Sequence, residues 1–162
     1  MAEPQATQAT QTDQWWSAFP APKAKVSEIS SSEVMQLFDD MDIKPEPRSF
    51  LLVDVRRNDW EGGTVKTSLN LPAQSFYQSR KTLLDLCDRA SITQVIFYCG
   101  SSSGRGPRCA GWMQDYINDV SKFGRKSALQ VLVLKGGIKG WVKDFGGSMV
   151  DGFEEKYWEQ FR

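Results

Sequence analysis

Histidine is absent from all 162 residues. That excludes the Cys-His dyad, the Ser-His-Asp triad and most zinc sites, since each needs an imidazole as base or ligand. Any general acid must be a carboxylic acid, a tyrosine, a lysine or water, and neither a bound metal nor a bound cofactor is expected. A charge excess is absent too, because twenty basic and twenty acidic residues cancel. Such a balance gives no footprint for nucleic acid or a membrane surface, so the expected partner is small or transient and the molecule a monomer or weak dimer. No apolar run approaches the roughly 20 residues needed to span a bilayer. Cysteine is scarce, at three. An odd count without a signal-like start fits free thiols in the cytosol or nucleus better than a disulfide scaffold. The first 22 residues hold no Lys, no Arg and no apolar stretch, so no presequence is expected.

What remains suits one domain, with 40% apolar residues to fill a core. Its most informative stretch is Cys99-Gly100-Ser101-Ser102-Ser103-Gly104-Arg105. A short apolar run, 94–98, precedes it, and a Gly-Pro pair opening a helical pattern follows. Five small residues between a cysteine and an arginine let the backbone curl until its N–H groups converge, with a helix N-terminus behind them. A tetrahedral anion fits such a cradle. The arginine adds a planar fork for two oxygens of that anion, and all these groups favour negative charge on the sulfur. Cys99 is the candidate nucleophile and Arg105 the candidate clamp.

Along the chain, residues 1–25 read as a disordered tail followed by an aromatic segment. There Trp15, Trp16 and Phe19 are expected to clip the segment onto a domain spanning 26–162. Ser30 and Glu33 form a capping-box pattern for a helix ending near Asp40. The runs 50–55, 95–98 and 129–134 have the length and continuous hydrophobicity of strands buried on both faces of a parallel sheet. Val65 and Leu69-Asn70-Leu71 allow a short strand, and 75–89 alternate at helical spacing. Cys109, Trp112, Met113, Tyr116, Ile117 and Val120 fall on one helix face. A short helix through Ile138, Trp141, Val142 and Phe145 follows Gly136-Gly137. Strands alternating with helices predict an α/β fold, a mainly parallel central sheet flanked by helices. Ligands of such sheets sit beyond the carboxyl ends of the strands, where Asp54, Cys99 and Lys135 lie.

These pieces, in this order, resemble the rhodanese-like superfamily. The resemblance is to its branch of cell-division-cycle dual-specificity phosphatases and eukaryotic arsenate reductases, most of all the small fungal members. The matching residues are 53–56 (VDVR), 60–65 (WEGGTV) with 69–72 (LNLP), 99–108 (CGSSSGRGPR), and 134–137 (LKGG) with Trp141. The resemblance implies a single rhodanese-like domain with Cys99 as nucleophile. It makes the amides of Gly100, Ser101, Ser102, Ser103, Gly104 and Arg105 the oxyanion cradle, and Arg105 the clamp. Sulfurtransferase members typically use a shorter loop, so the five residues inside this one favour a tetrahedral oxyanion over a sulfur atom.

Three departures bear on activity. Tyr98 stands where the phosphatase branch usually has His, Gly104 where it carries a proposed acidic Glu, and Thr64 where the Gly-Gly-His segment has its His. Losing the Glu disfavours phosphomonoesters with poor leaving groups. Arsenate suffers less, because its oxygen exchange is fast and its leaving group is water. Arsenate reduction with an external thiol such as glutathione or glutaredoxin therefore leads. A phosphoprotein phosphatase, a thiosulfate sulfurtransferase and a non-catalytic phospho-anion binding module are the alternatives. Asp54 and Arg56 are expected to brace the sheet end, while Asp59 and Glu61 are the nearest acids by position. Cys87 and Cys109 are expected to be core residues and not resolving thiols.

Overall fold

The computed structural model describes residues 14–43 and 46–162, so the expected disordered tail, residues 1 to about 13, lies outside the described residues. Five parallel strands make the main sheet: β1 (Ser27–Ile29), β2 (Phe50–Asp54), β4 (Leu69–Asn70), β5 (Gln94–Tyr98) and β6 (Gln130–Leu134). They are ordered β1-β6-β5-β2-β4. The three apolar runs thus occupy the three central positions, where both faces are covered. A separate antiparallel pair joins β3 (Thr64–Val65) to β7 (Val150–Asp151).

Helices cover both faces. On one side α3 (Arg80–Arg89) and α4 (Arg105–Lys122) pack on Val53, Val95, Phe97, Val131 and Val133. On the other, α1 (Ser31–Ile43) and α5 (Gly137–Phe145) enclose Leu52, Ile96, Leu132 and Leu134. The alternation of side chains along each strand divides one sheet between two cores. The capping box forms as read: Glu33 N–H donates to Ser30 Oγ at 3.1 Å, and Ser30 N–H to Glu33 Oε2 at 2.8 Å. The α1 helix runs three residues past the expected stop, to Ile43.

The region expected as one helix over 75–89 is broken. It comprises α2 (Ala73–Phe76), a 3₁₀ turn and then α3. The break puts Phe76 against Phe97, ring centroids 5.2 Å apart, and Tyr77 against Phe19 at 4.7 Å. Trp15, Trp16 and Phe19 pack against the α4 side of the core, and the Trp112 indole donates to Pro20 O at 2.7 Å. No clear sequence signal marked β1, β7 or the C-terminal α6 (Glu155–Glu159). Among the described residues, no helix is long and apolar enough to cross a membrane.

Candidate active site

The carboxyl ends of β2 and β5 are adjacent strand ends, in register from Phe50↔Gln94 to Asp54↔Tyr98. The first leads into residues 55–63 and the second into Cys99. Asp54 and Arg56 form a buried pair, 0% and 1% exposed, with Arg56 Nη2 donating to Asp54 Oδ2 at 2.8 Å and Nε to Oδ1 at 3.0 Å. Arg56 also donates to the carbonyls of Glu61 at 3.0 Å and Gly63 at 2.7 Å. One guanidinium therefore pins the whole turn after β2. Asn70 finishes the brace, its amide donating to Asp54 O at 2.8 Å and Arg56 O at 2.9 Å.

The two positions where this chain departs from family histidines meet each other. Tyr98 OH lies 2.8 Å from Thr64 Oγ1 and 2.6 Å from Ser68 Oγ, and accepts from Val65 N–H at 3.2 Å. Thr64 in turn donates to Asp54 Oδ2 at 2.8 Å. Burial, then the Asp54 charge, pushes the Tyr98 phenol well above its ordinary range. It stays neutral and serves as a hub for three segments, not as support for the sulfur.

Cys99 is buried at the start of the loop, and its Sγ accepts from Gly106 N–H at 3.4 Å. Ser102 takes a left-handed φ of +56°, and its Oγ accepts from Cys99 N–H at 3.4 Å, folding the loop over its own start. Among the described residues, the amides of Gly100, Ser101, Ser102, Ser103, Gly104 and Arg105 donate to no protein acceptor. The first two carbonyls of the loop are fixed by α5: Ile138 N–H donates to Cys99 O at 3.1 Å and Lys139 N–H to Gly100 O at 2.9 Å. In a trans peptide N–H and C=O point opposite ways, so the Gly100 and Ser101 amides face away from α5. Gly137 permits this docking, with φ +59° and a would-be Cβ 2.5 Å from Gly100 O.

Arg105 opens α4 and meets Asp59 end-on, Nη1 to Oδ1 and Nη2 to Oδ2, both at 2.6 Å. The pair is a quarter to a half exposed, and pairs of this kind contribute roughly 0–1 kcal/mol, so an entering anion can compete for the guanidinium. The hydrogen bond from Arg105 holds the Asp59 carboxyl down at about 2. Asp59 is then a carboxylate at neutral pH and no proton donor while the pair holds. Glu61, the other acid named from its position, meets Arg56 through its backbone carbonyl.

Cys87 and Cys109 are buried in the α3/α4 core. Burial pushes the Cys87 thiol up to about 11 and the Cys109 thiol higher still, leaving both inert at neutral pH. Lys135 and Lys139 are both exposed, and Lys139 stands at the loop mouth with its Cε 3.6 Å from where a Gly100 Cβ would be. The sequence reading missed Lys139 and Asn70. Both lie inside matched or flanking motifs, one past the double glycine and one between two leucines, where a polar residue passes for spacing.

The chain is similar to several known proteins. Over 125 residues the chain is 27% identical to arsenical-resistance protein 2 of Saccharomyces cerevisiae, covering 72% of this chain and 88% of that protein. Over 93 residues it is 32% identical to human M-phase inducer phosphatase 2, covering 56% of this chain and 16% of that much longer protein. An As-Sb reductase structure from Leishmania major superposes with a TM-score of 0.66 at 20% identity, over 77% of this chain and 84% of that one, which speaks for the fold. The rhodanese-like domain model matches residues 30–144, the stretch that carries four of the five main-sheet strands, the Cys99 loop and its α5 support. The chain belongs to the rhodanese-like domain family.

Proposed function

We propose that this protein reduces arsenate to arsenite, with Cys99 as nucleophile and an external thiol as reductant. The carrying observation is the loop. Six consecutive amides without protein acceptors follow Cys99, its sulfur accepts from the Gly106 N–H, and Arg105 lies within electrostatic reach of that sulfur. Donors placed this way stabilise the charge that builds on a tetrahedral centre under attack.

In this reading the Cys99 sulfur bonds to arsenic and one arsenate oxygen departs as water, taking its protons from arsenate and solvent. A glutathione thiol then attacks the Cys99 sulfur. The S–As bond breaks with its electron pair left on arsenic, which leaves as arsenite. A second glutathione reduces the mixed disulfide, so two thiols supply the two electrons and Cys99 is regenerated. Buried Cys87 and Cys109 take no part, which makes the external thiol obligatory.

Phosphatase action is the second reading, favoured by the same cradle and by the similarity to M-phase inducer phosphatase 2. Against it stands the missing proton donor. Gly104 occupies the acid position and Asp59 is held ionised by Arg105. Turnover of arsenate with glutathione, an aryl phosphate, and thiosulfate with cyanide, measured side by side, separates the readings. Arsenite release should dominate. Aryl phosphate hydrolysis or thiocyanate formation outpacing it would overturn the assignment.

A further inference from the structure

Until an anion displaces Asp59, Arg105 brings no free charge to the mouth of the loop, because the carboxylate partners it through two 2.6 Å contacts. Arg56, the other guanidinium nearby, is committed to Asp54 and the carbonyls of the 59–63 turn. Yet the chemistry proposed for the loop concentrates negative charge there. The uncompensated cation must come from another element.

Gly100 marks the spot. A Cβ on this glycine would lie 3.6 Å from Lys139 Cε, 3.9 Å from Asp59 Oδ2 and 4.0 Å from Arg105 Nη2. Three charged side chains thus stand around one point above the first residue after the nucleophile, and the absence of a side chain at Gly100 keeps that point open. A small cleft continues from it, lined by Asp59, Gly100, Lys139, Tyr157 and Phe161 among others.

Lys139 is held there from three directions. Its own N–H donates to Gly100 O at 2.9 Å, locking its backbone to the loop. Its methylene stem passes over Gly100, and its ammonium sits 4.5 Å from the centre of the Phe161 ring. Among the described residues it forms no ion pair. The titratable and charged groups facing this mouth are Asp59 and Arg56 from the β2 turn, Cys99 and Arg105 from the loop and α4, and Tyr157 from α6. Of the charged side chains around Gly100, Lys139 is the one that forms no ion pair among the described residues.

We infer that Lys139 is a second cation of the oxyanion site, contacting the oxygen of the bound anion that faces the mouth, opposite the loop amides. This rests on the reading of the loop as an oxyanion cradle, but not on which oxyanion reacts. Lysine suits the place, because a compact charge on a flexible stem can follow an anion whose other oxygens are fixed. It also explains how a site with a neutralised arginine attracts a doubly charged substrate.

Phosphate binding to the Cys99→Ser protein, followed by calorimetry, tests the inference without turnover. In that background Lys139→Gln should weaken phosphate about tenfold, the usual scale for losing a charge-assisted hydrogen bond. Lys139→Arg should restore most of the loss, and Lys143→Gln, the same charge change one turn along α5, should shift binding less than twofold. Unchanged affinity in Lys139→Gln, or an equal loss in Lys143→Gln, overturns the inference while leaving the cradle intact. If the Cys99→Ser parent itself binds no phosphate, the cradle fails and Lys139 with it. Lys139-dependent phosphate binding by a chain that releases no arsenite would sink only the proposed activity.

Discussion

A buried guanidinium carries much of the site's rigidity, and Arg56 illustrates how residue chemistry decides it. Its charge is out of water, so it is tolerable only with Asp54 and two carbonyls as partners. Asp54→Ala leaves that charge unpaired and should cost about 3–5 kcal/mol, measurable by denaturant titration. A loss below 1 kcal/mol would mean that the pair is not the anchor of the turn. The other residue pair behaves differently because it is wet. The Asp59 carboxyl is held at about 2 against an ordinary 3.8, so whatever stability it adds is present above pH 3.8 and vanishes as pH falls through about 2. A carbon-detected NMR titration should place its midpoint near 2, and Arg105→Ala should return it towards 3.8. A midpoint that ignores Arg105 would show the carboxylate to be held by something else.

The brace at Asp54 and Arg56 was legible from residue types and their place after a buried run. What was not legible was the pairing of Tyr98 with Thr64, since nothing local in the chain links positions 34 residues apart. Only the parallel register of β2 with β5, together with β3 folding back, brings them together. The Asp59–Arg105 contact, 46 residues apart in sequence, was hidden for the same reason.

At the scale of elements, periodicity identified α4 well because its apolar face is long and faces one partner. Cys109, Trp112, Met113 and Ile117 are all buried there. It failed over 73–89, where α2, a 3₁₀ turn and α3 share one apolar pattern but kink so that Phe76 and Tyr77 reach different neighbours. It also missed β1, whose three residues carry one buried side chain, too few for any period. The inward face of α4 makes a prediction about the catalytic cycle. A Cys87→Ala, Cys109→Ala double variant should keep most arsenite release when glutathione is present, and neither protein should release arsenite without an added thiol. A folded but inactive double variant, or an internal disulfide stoichiometric with arsenite, would assign the resolving role to this chain.

At the scale of the whole molecule, the sheet order sets everything else. Placing β5 between β2 and β6 puts the Cys99 loop between two crossover connections, the 55–63 turn on one side and the α5 N-terminus on the other. The α/β class and the parallel sheet followed from three continuous apolar runs separated by helical patterns. The short antiparallel pair β3–β7 did not, because the residues that join its strands lie more than 80 apart, nor did α6, whose five residues are too few to show a period. The N-terminal aromatics extend the α4 core outward. Phe19 stacks on Tyr77 and meets Trp112 edge-on at 5.6 Å. Phe19→Ala should lower stability by about 1–3 kcal/mol, read as a fall in Tm, with turnover per folded molecule unchanged. Lost turnover at an unchanged Tm would make the segment part of the active site instead of a clip.

Arsenite release from arsenate and glutathione, compared between the natural protein and Cys99→Ser, tests most directly whether Cys99 is the nucleophile of arsenate reduction. Steady release with one glutathione disulfide per arsenite is expected in the first, and none in the second despite retained phosphate binding. Equal release from the two proteins, or none from either with the cradle binding phosphate, would contradict that role.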